Sequence, residues 1–157
     1  MQKIAIFVDV QNIYHTTKSV YCRPFDYRKF WRNLNQKGQI AMANAYATNR
    51  DDDGQRKFQD ALHHIGFNIK LKPYIQRADG SAKGDWDVGI TIDIIKAAPT
   101  VDLIVLLSGD GDFSILLDEI KNEHAVKTCV HSVAKLTAKA LIDASDEFIE
   151  IKNEHLL

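Results

Sequence analysis

Three short acidic stretches stand out in this chain: Phe7-Val8-Asp9-Val10-Gln11-Asn12, Lys83-Gly84-Asp85-Trp86-Asp87 and Leu107-Ser108-Gly109-Asp110-Gly111-Asp112-Phe113. Carboxylates gathered in one place repel one another unless a cation neutralises them, and unpaired buried charge is expensive. As hard oxygen donors they suit Mg²⁺ or Mn²⁺, which keep several waters and take only a few protein ligands. Each stretch taken singly has a plainer explanation. Asp9 alone reads as a helix cap, Asp110-Gly111-Asp112 as a turn, and Asp85 and Asp87 as acids favoured at a helix start. What tips the balance is where all three fall in the chain.

Each acidic stretch lies where an apolar strand gives way to a helix or where a helix opens. Strands are expected at Ile4–Val8, Ile40–Ala47, Ile69–Ile75, Leu103–Leu107, Val126–Val130 and Phe148–Ile151. Helical spacing lies between them. Phe58, Ala61, Leu62 and Ile65 make one face, ended at Gly66. Val88, Thr91, Ile92 and Ile95 make a second, ended before Pro99. Phe113, Leu116, Leu117 and Ile120 make a third, and Ala134, Thr137, Ala138 and Leu141 a fourth. Asp26 has the chemistry of an N-cap for a further helix through about Gln36, with Gly38 beyond it. Apolar strands alternating with helices predict a three-layer α/β/α fold with a mainly parallel central sheet. Such sheets carry their functional groups outside the carboxyl ends of the strands. That edge is where Asp9, Asp110 and Asp112 are expected, with Asp87 brought alongside. Asp93 lies six residues beyond Asp87, so on one regular helix the two point about 120° apart.

The bulk numbers allow this reading. A chain of 157 residues fits one domain, residues 1–157, and a domain of this size buries roughly 70% of its unfolded surface. No linker or repeat is visible, no apolar run approaches the ~20 residues of a membrane span, and no signal-type leader is present. Cys22 and Cys129 are far apart without metal or redox spacing, which suits reduced thiols of a cytoplasmic protein. The formal net charge is −1, but residues 1–84 carry 14 Lys and Arg against 7 Asp and Glu, and residues 85–157 carry 6 against 14. A basic half suits phosphates, and an acidic half suits the cations that act on them.

The segments FVDVQN, KGDWDVGITID and LLSGDGDF, in that order, resemble the NYN domain, specifically its LabA-like branch within the PIN-like nuclease superfamily. The resemblance covers essentially the whole chain. It implies a parallel α/β/α sheet and an acidic site binding Mg²⁺ or Mn²⁺ for endoribonuclease chemistry. By motif position it implies that Asp9 and Asn12 are the first-strand acid and its helix-borne amide. Asp87 and Asp93 match the two acids of the second motif, and Asp110 and Asp112 those of the third, with Ser108 beside them. Asp85 is an additional acid inside the second motif.

The expected chemistry is metal-assisted hydrolysis of RNA phosphodiesters, catalysed by Asp9, Asp87, Asp110, Asp112 and Asn12, with metal donors Asp9, Asp87, Asp110, Asp112 and Asp93. Substrate contacts are expected from Ser108 and Lys83. Further contacts are expected from residues 14–37, where Arg28, Lys29 and Arg32 interleave with Tyr14, Tyr21, Phe25, Tyr27, Phe30 and Trp31, a pattern that suits single-stranded RNA. A second basic stretch, Lys70, Lys72, Arg77 and Lys83, leads into the acidic motif. Self-association is left open. Of the six histidines, His63-His64 reads as surface and His131 ends a strand, and none has zinc spacing.

Rival chemistries lack their residues. A haloacid-dehalogenase phosphatase needs an acid where Gln11 stands, a receiver domain needs an acid pair at the first strand, and no glycine-rich phosphate loop follows that strand. The remaining alternative is a non-catalytic module that keeps the metal site and acts by binding RNA or protein.

Overall fold

The computed structural model describes residues 1–49, 53–73, 75–76, 82–83 and 85–157, the side chains of residues 49, 73, 75, 76, 82 and 83 excepted. Six parallel strands form one sheet in the order β3-β2-β1-β6-β7-β8. They are β1 (Lys3–Asp9), β2 (Gln39–Asn49), β3 (Asn68–Pro73), β6 (Leu103–Leu107), β7 (Lys127–Ser132) and β8 (Glu147–Glu150). Of the expected run Ile69–Ile75, β3 covers residues up to Pro73 and Tyr74 lies outside the described residues. A separate antiparallel pair follows, β4 (Ile75–Gln76) with β5 (Ala82–Lys83).

The helices are α1 (Val10–Tyr21), α2 (Tyr27–Lys37), α3 (Asp53–Ile65), α4 (Asp87–Ala97), α5 (Ser114–Glu123) and α6 (Lys139–Ala144). Alternation along β1 builds two cores. Ile4, Ile6 and Val8 meet Ile13 of α1, Phe30 and Leu34 of α2 and Leu62 of α3. Ala5 and Phe7 meet Ile90 and Ile94 of α4, Leu117 and Ile120 of α5 and Leu141 of α6. The result is the three-layer PIN-like arrangement. Among the described residues no helix is long and apolar enough to cross a membrane.

Local signals fared unevenly. Asp26 does cap α2, accepting from the Lys29 N–H at 3.0 Å, and α3 stops at Gly66, whose φ of +133° suits only glycine. α5 buries Leu116, Leu117 and Ile120 as its spacing implies. α4 buries the opposite face from the one expected. Ile90, Ile94 and Ala97 are buried, whereas Val88 is 72% exposed and Ile92 and Ile95 are each 46% exposed. The segment expected as one helix from Ala134 to Leu141 divides into a 3₁₀ turn, Ala134–Leu136, and α6. Between them Ala138 donates its N–H to the Gly109 carbonyl at 3.1 Å, a bond from outside the helix.

Strand order positions the site. From β1 the chain steps to β2 and β3 on one side, and later to β6, β7 and β8 on the other. The switch between β1 and β6 opens a crevice at their carboxyl ends, the place where parallel sheets bind ligands. β1 ends in Asp9, and β6 runs into Ser108-Gly109-Asp110.

Candidate metal centre

Asp87, Asp110 and Asp112 each bring one carboxylate oxygen to a common place, all within 4.8 Å of one another. Asp110 follows β6, Asp112 lies in the 3₁₀ turn Gly111–Phe113, and Asp87 is the first residue of α4. The loop that carries the first two is tightly fastened. The Asp110 carboxylate accepts from the Asp112 N–H at 2.9 Å. The Asp110 N–H donates to Ser108 Oγ at 3.2 Å, and Ser108 Oγ donates to Asp9 Oδ2 at 3.1 Å. Across the crevice, Asn12 Oδ1 accepts from the Gly109 N–H at 2.9 Å. The glycines of this loop admit protein rather than substrate. A Cβ on Gly109 would lie 2.7 Å from Ser132 Oγ and 2.9 Å from the Leu136 carbonyl oxygen, and one on Gly111 would lie 2.7 Å from the Ala138 methyl.

The electrostatics are those of acids left to face each other. Burial is the main reason that Asp87 is pushed up to about 7, and its hydrogen bond to the Asp110 carboxyl and the charges of Asp110, Asp9 and Asp85 add to it. Asp9 is pushed up to about 6, again mainly by burial. The Ser108 hydrogen bond opposes the rise, while the charges of Asp110 and Asp85 add to it. Asp9 therefore belongs to the same electrostatic group as Asp87 and Asp110. Among the described residues no lysine or arginine enters the causes of either shift.

Several expected site residues have other work. Asp93, expected as a metal donor, accepts from Lys70 Nζ at 2.8 Å and from the Tyr46 hydroxyl at 2.7 Å. Burial works against its charge, but those hydrogen bonds and the Lys70 charge hold the carboxyl below its ordinary value. It is a paired acid on α4. Ser108, expected to touch substrate, is fully buried and spans Asp9 and Asp110. Asn12 has its oxygen committed to Gly109, which leaves its amide nitrogen to meet a ligand.

On α2, Lys29 donates one ammonium N–H to the Glu154 carbonyl at 2.6 Å, which ties the side chain to the C-terminal segment. Arg28 and Arg32 are exposed. The aromatics interleaved with them are largely core: Phe25, Tyr27 and Phe30 are buried, and Trp31 packs on Phe67 at 5.0 Å between ring centroids. Lys83 has only its backbone described, in β5, and Gly84 and Arg77 lie outside the described residues. His131 is buried on the α2 side, edge-on to Phe30 at 5.1 Å. Burial, with Lys37 and His155, pushes its imidazole down to about 3. Cys22 and Cys129 are both free thiols.

The residues that sequence reasoning missed hold α4 against the sheet. Tyr46 pairs in register with Lys70 on the neighbouring strand, so both reach Asp93 from one face. Trp86 donates its indole N–H to the Ala47 carbonyl at 2.9 Å, and Lys72 holds the Asp85 carbonyl at 2.9 Å. A signal was there to read: Tyr46 is the one large ring in the run Ala41-Met42-Ala43-Asn44-Ala45-Tyr46-Ala47, and Lys70 and Lys72 recur at strand period.

The chain is similar to known proteins in sequence and in fold. A crystal structure of a Vibrio parahaemolyticus protein of unknown function superposes with a TM-score of 0.95 at 50% identity, over 99% of this chain and 96% of that one. The low amplitude and bright protein LabA of Synechococcus elongatus is 28% identical over 159 aligned residues, which cover 96% of this chain and 84% of that protein. The family profile of the NYN domain matches residues 3–152, and the chain therefore belongs to the NYN domain family, as a LabA-like member.

Proposed function

We propose that this protein is a metal-dependent endoribonuclease that hydrolyses phosphodiester bonds of single-stranded RNA in the cytoplasm, its residues 1–157 acting as one domain. The observation that carries this reading is the convergence of Asp87, Asp110 and Asp112, with Asp9 and Asp110 among the charges that raise Asp87. The donor set fits the metal. Octahedral Mg²⁺ with bonds of about 2.1 Å spans about 4.2 Å between opposite ligands, so oxygens within 4.8 Å of one another close on it with small rotamer changes. All the donors are hard carboxylate oxygens, which favours Mg²⁺ or Mn²⁺ over softer metals.

When bound, such an ion supplies Lewis acidity for the phosphate oxygens and lowers the pKa of water at neutral pH. The chain's own residues do the rest. Asp87, Asp110 and Asp112 would hold the ion, and Asp9 completes the negative surround. Ser108 fixes the Asp9 carboxylate, and the Asp112 N–H fixes that of Asp110. Asn12 locks the loop to α1, with its amide nitrogen left for a phosphate oxygen. With Asp9 and Asp87 near 6 and 7, a proton held there leaves as the ion binds, so loading favours neutral to alkaline pH.

The test is turnover of end-labelled single-stranded RNA with Mn²⁺ or Mg²⁺. Cleavage should require metal and stop with chelator, and Asp110→Asn should slow it by about a thousandfold, the scale of several kcal/mol of lost metal-borne stabilisation. Binding of RNA without cleavage under either ion contradicts the nuclease reading and leaves a regulatory binding module.

A further inference from the structure

Beside Asp9 lies a cavity of about 440 Å³, walled by Val10, Gln11 and Tyr14 of α1, Ala47 and Thr48 of β2, and Phe58 of α3. Its position follows from the strand register. Val10 and Gln11 directly follow Asp9, and Asp9 pairs with Tyr46, so Ala47 and Thr48 run on past the acid at the same edge of the sheet. The floor is apolar and the rim is polar. Gln11 Nε2 donates to Thr48 Oγ1 at 2.6 Å, which orients the carboxamide and leaves its oxygen as an acceptor. Tyr14 is 52% exposed. Lys18 places its ammonium 5.5 Å from the Tyr14 ring centroid, and the His15 ring meets it edge-on at 5.3 Å.

These features differ in kind from those on α2. There the aromatics are buried and Lys29 is engaged by a backbone carbonyl. Here a large ring remains half open to solvent beside a cation, next to a concavity of the size that binds small ligands. An open ring with an adjacent ammonium is how single-strand binders stack a base and neutralise the neighbouring phosphate. Resting on the ribonuclease reading, we propose that this cavity is a nucleobase subsite, which holds a base of single-stranded RNA flanking the phosphate delivered to the aspartates. The base stacks on Tyr14, its edge meets the Gln11 carboxamide, and Lys18 takes the next phosphate along the chain.

The test uses an octanucleotide RNA scanned with a single abasic nucleotide, cleaved in Mn²⁺ by wild-type protein and by Tyr14→Leu. Tyr14→Leu should raise KM about tenfold, within the ~1–3 kcal/mol assigned to one stacked base, with kcat changed less than twofold. One abasic position at a fixed offset from the cut should impair wild type to the same degree and have no further effect on Tyr14→Leu. Lys18→Gln should raise KM without that non-additivity. Thermal melting of Tyr14→Leu within 2 °C of wild type, as expected for a half-exposed side chain, excludes misfolding as the cause. If the RNA is cut and the abasic and Tyr14 losses simply add at every position, the subsite is overturned and the nuclease reading stands. If wild-type protein neither binds nor cuts RNA, both fall together.

Discussion

Two acids on one helix, six residues apart, meet opposite treatment. Asp93 sits in the body of α4 and is given a lysine at 2.8 Å and a tyrosine hydroxyl at 2.7 Å, so its carboxyl stays below the ordinary value. Asp87 opens the same helix beside Asp110 and Asp112, and burial first, then the Asp110 carboxyl and the charges of Asp9 and Asp85, raise its carboxyl to about 7. A protein that needs a charge for its fold pairs that charge within the fold, because an unpaired one costs stability. Where it leaves several like charges together unpaired, the missing partner comes from outside. That contrast separates the paired acid of the second motif, Asp93, from the acid that faces other carboxylates, Asp87.

The contrast can be broken from either end. On the paired side, Lys70→Met leaves the Asp93 carboxylate with Tyr46 alone. It should cost roughly 2 kcal/mol, the scale of a hydrogen bond to a charged group, or about 4–8 °C of melting temperature in a chain this long. A thermal melt that does not move places Asp93 with the site acids after all. On the unpaired side, Asp87→Asn should stabilise the metal-free protein by a few degrees at pH 8. The sign follows from the raised carboxyl: folding favours the protonated form, so its contribution is complete below about 4 and is lost as pH rises through about 7. The advantage of Asp87→Asn should therefore fade by about pH 3, below the ordinary value of 3.8, where the wild-type group carries its proton in both states. Melts at the two pH values decide this, and a variant that is less stable at pH 8 contradicts it.

How much of this the sequence disclosed depends on whether a feature is local. β1 and β6 were the most legible, because parallel strands covered on both faces are continuous apolar runs, as in Ile4–Val8 and Leu103–Leu107, whereas β2 and β3 showed mixed patterning. The acidic loops were legible because they follow those runs. α4 was not, because Asp87-Val88-Gly89-Ile90-Thr91-Ile92-Asp93-Ile94-Ile95-Lys96-Ala97 is apolar on more than one face. The choice of Ile90 and Ile94 over Val88 and Ile92 is made by the anchors at Asp93 and Trp86, which come from other strands. The aromatics of residues 25–31 looked like a stacking surface because composition cannot tell a buried ring from an open one. Tyr14 is the open one, at the head of the expected segment 14–37.

A smaller effect sharpens the same distinction between engaged and free charges. Of the three α2 residues expected to meet phosphate, Lys29 bonds the Glu154 carbonyl, while Arg28 and Arg32 are exposed. The double variant Arg28→Gln with Arg32→Gln should lower the salt slope of RNA binding by about 1.4, from ~0.7 per contact on a single strand. Anisotropy titrations across salt concentrations measure it, and an unchanged slope leaves α2 outside the RNA surface.

The most direct test of the central claim is thermal melting at pH 8 with and without Mn²⁺, for wild type and Asp110→Asn. A cation that answers the carboxylate repulsion, present at a hundred times its dissociation constant, adds about 2.7 kcal/mol, or about 5–10 °C. Asp110→Asn keeps an oxygen to accept from the Asp112 N–H but loses the ligand charge. Wild type should therefore melt several degrees higher with Mn²⁺, whereas the variant should melt at or above metal-free wild type and respond little to the ion. Wild-type protein whose melting does not change with millimolar Mn²⁺, or a variant that gains as much from it, would contradict a metal site at these aspartates.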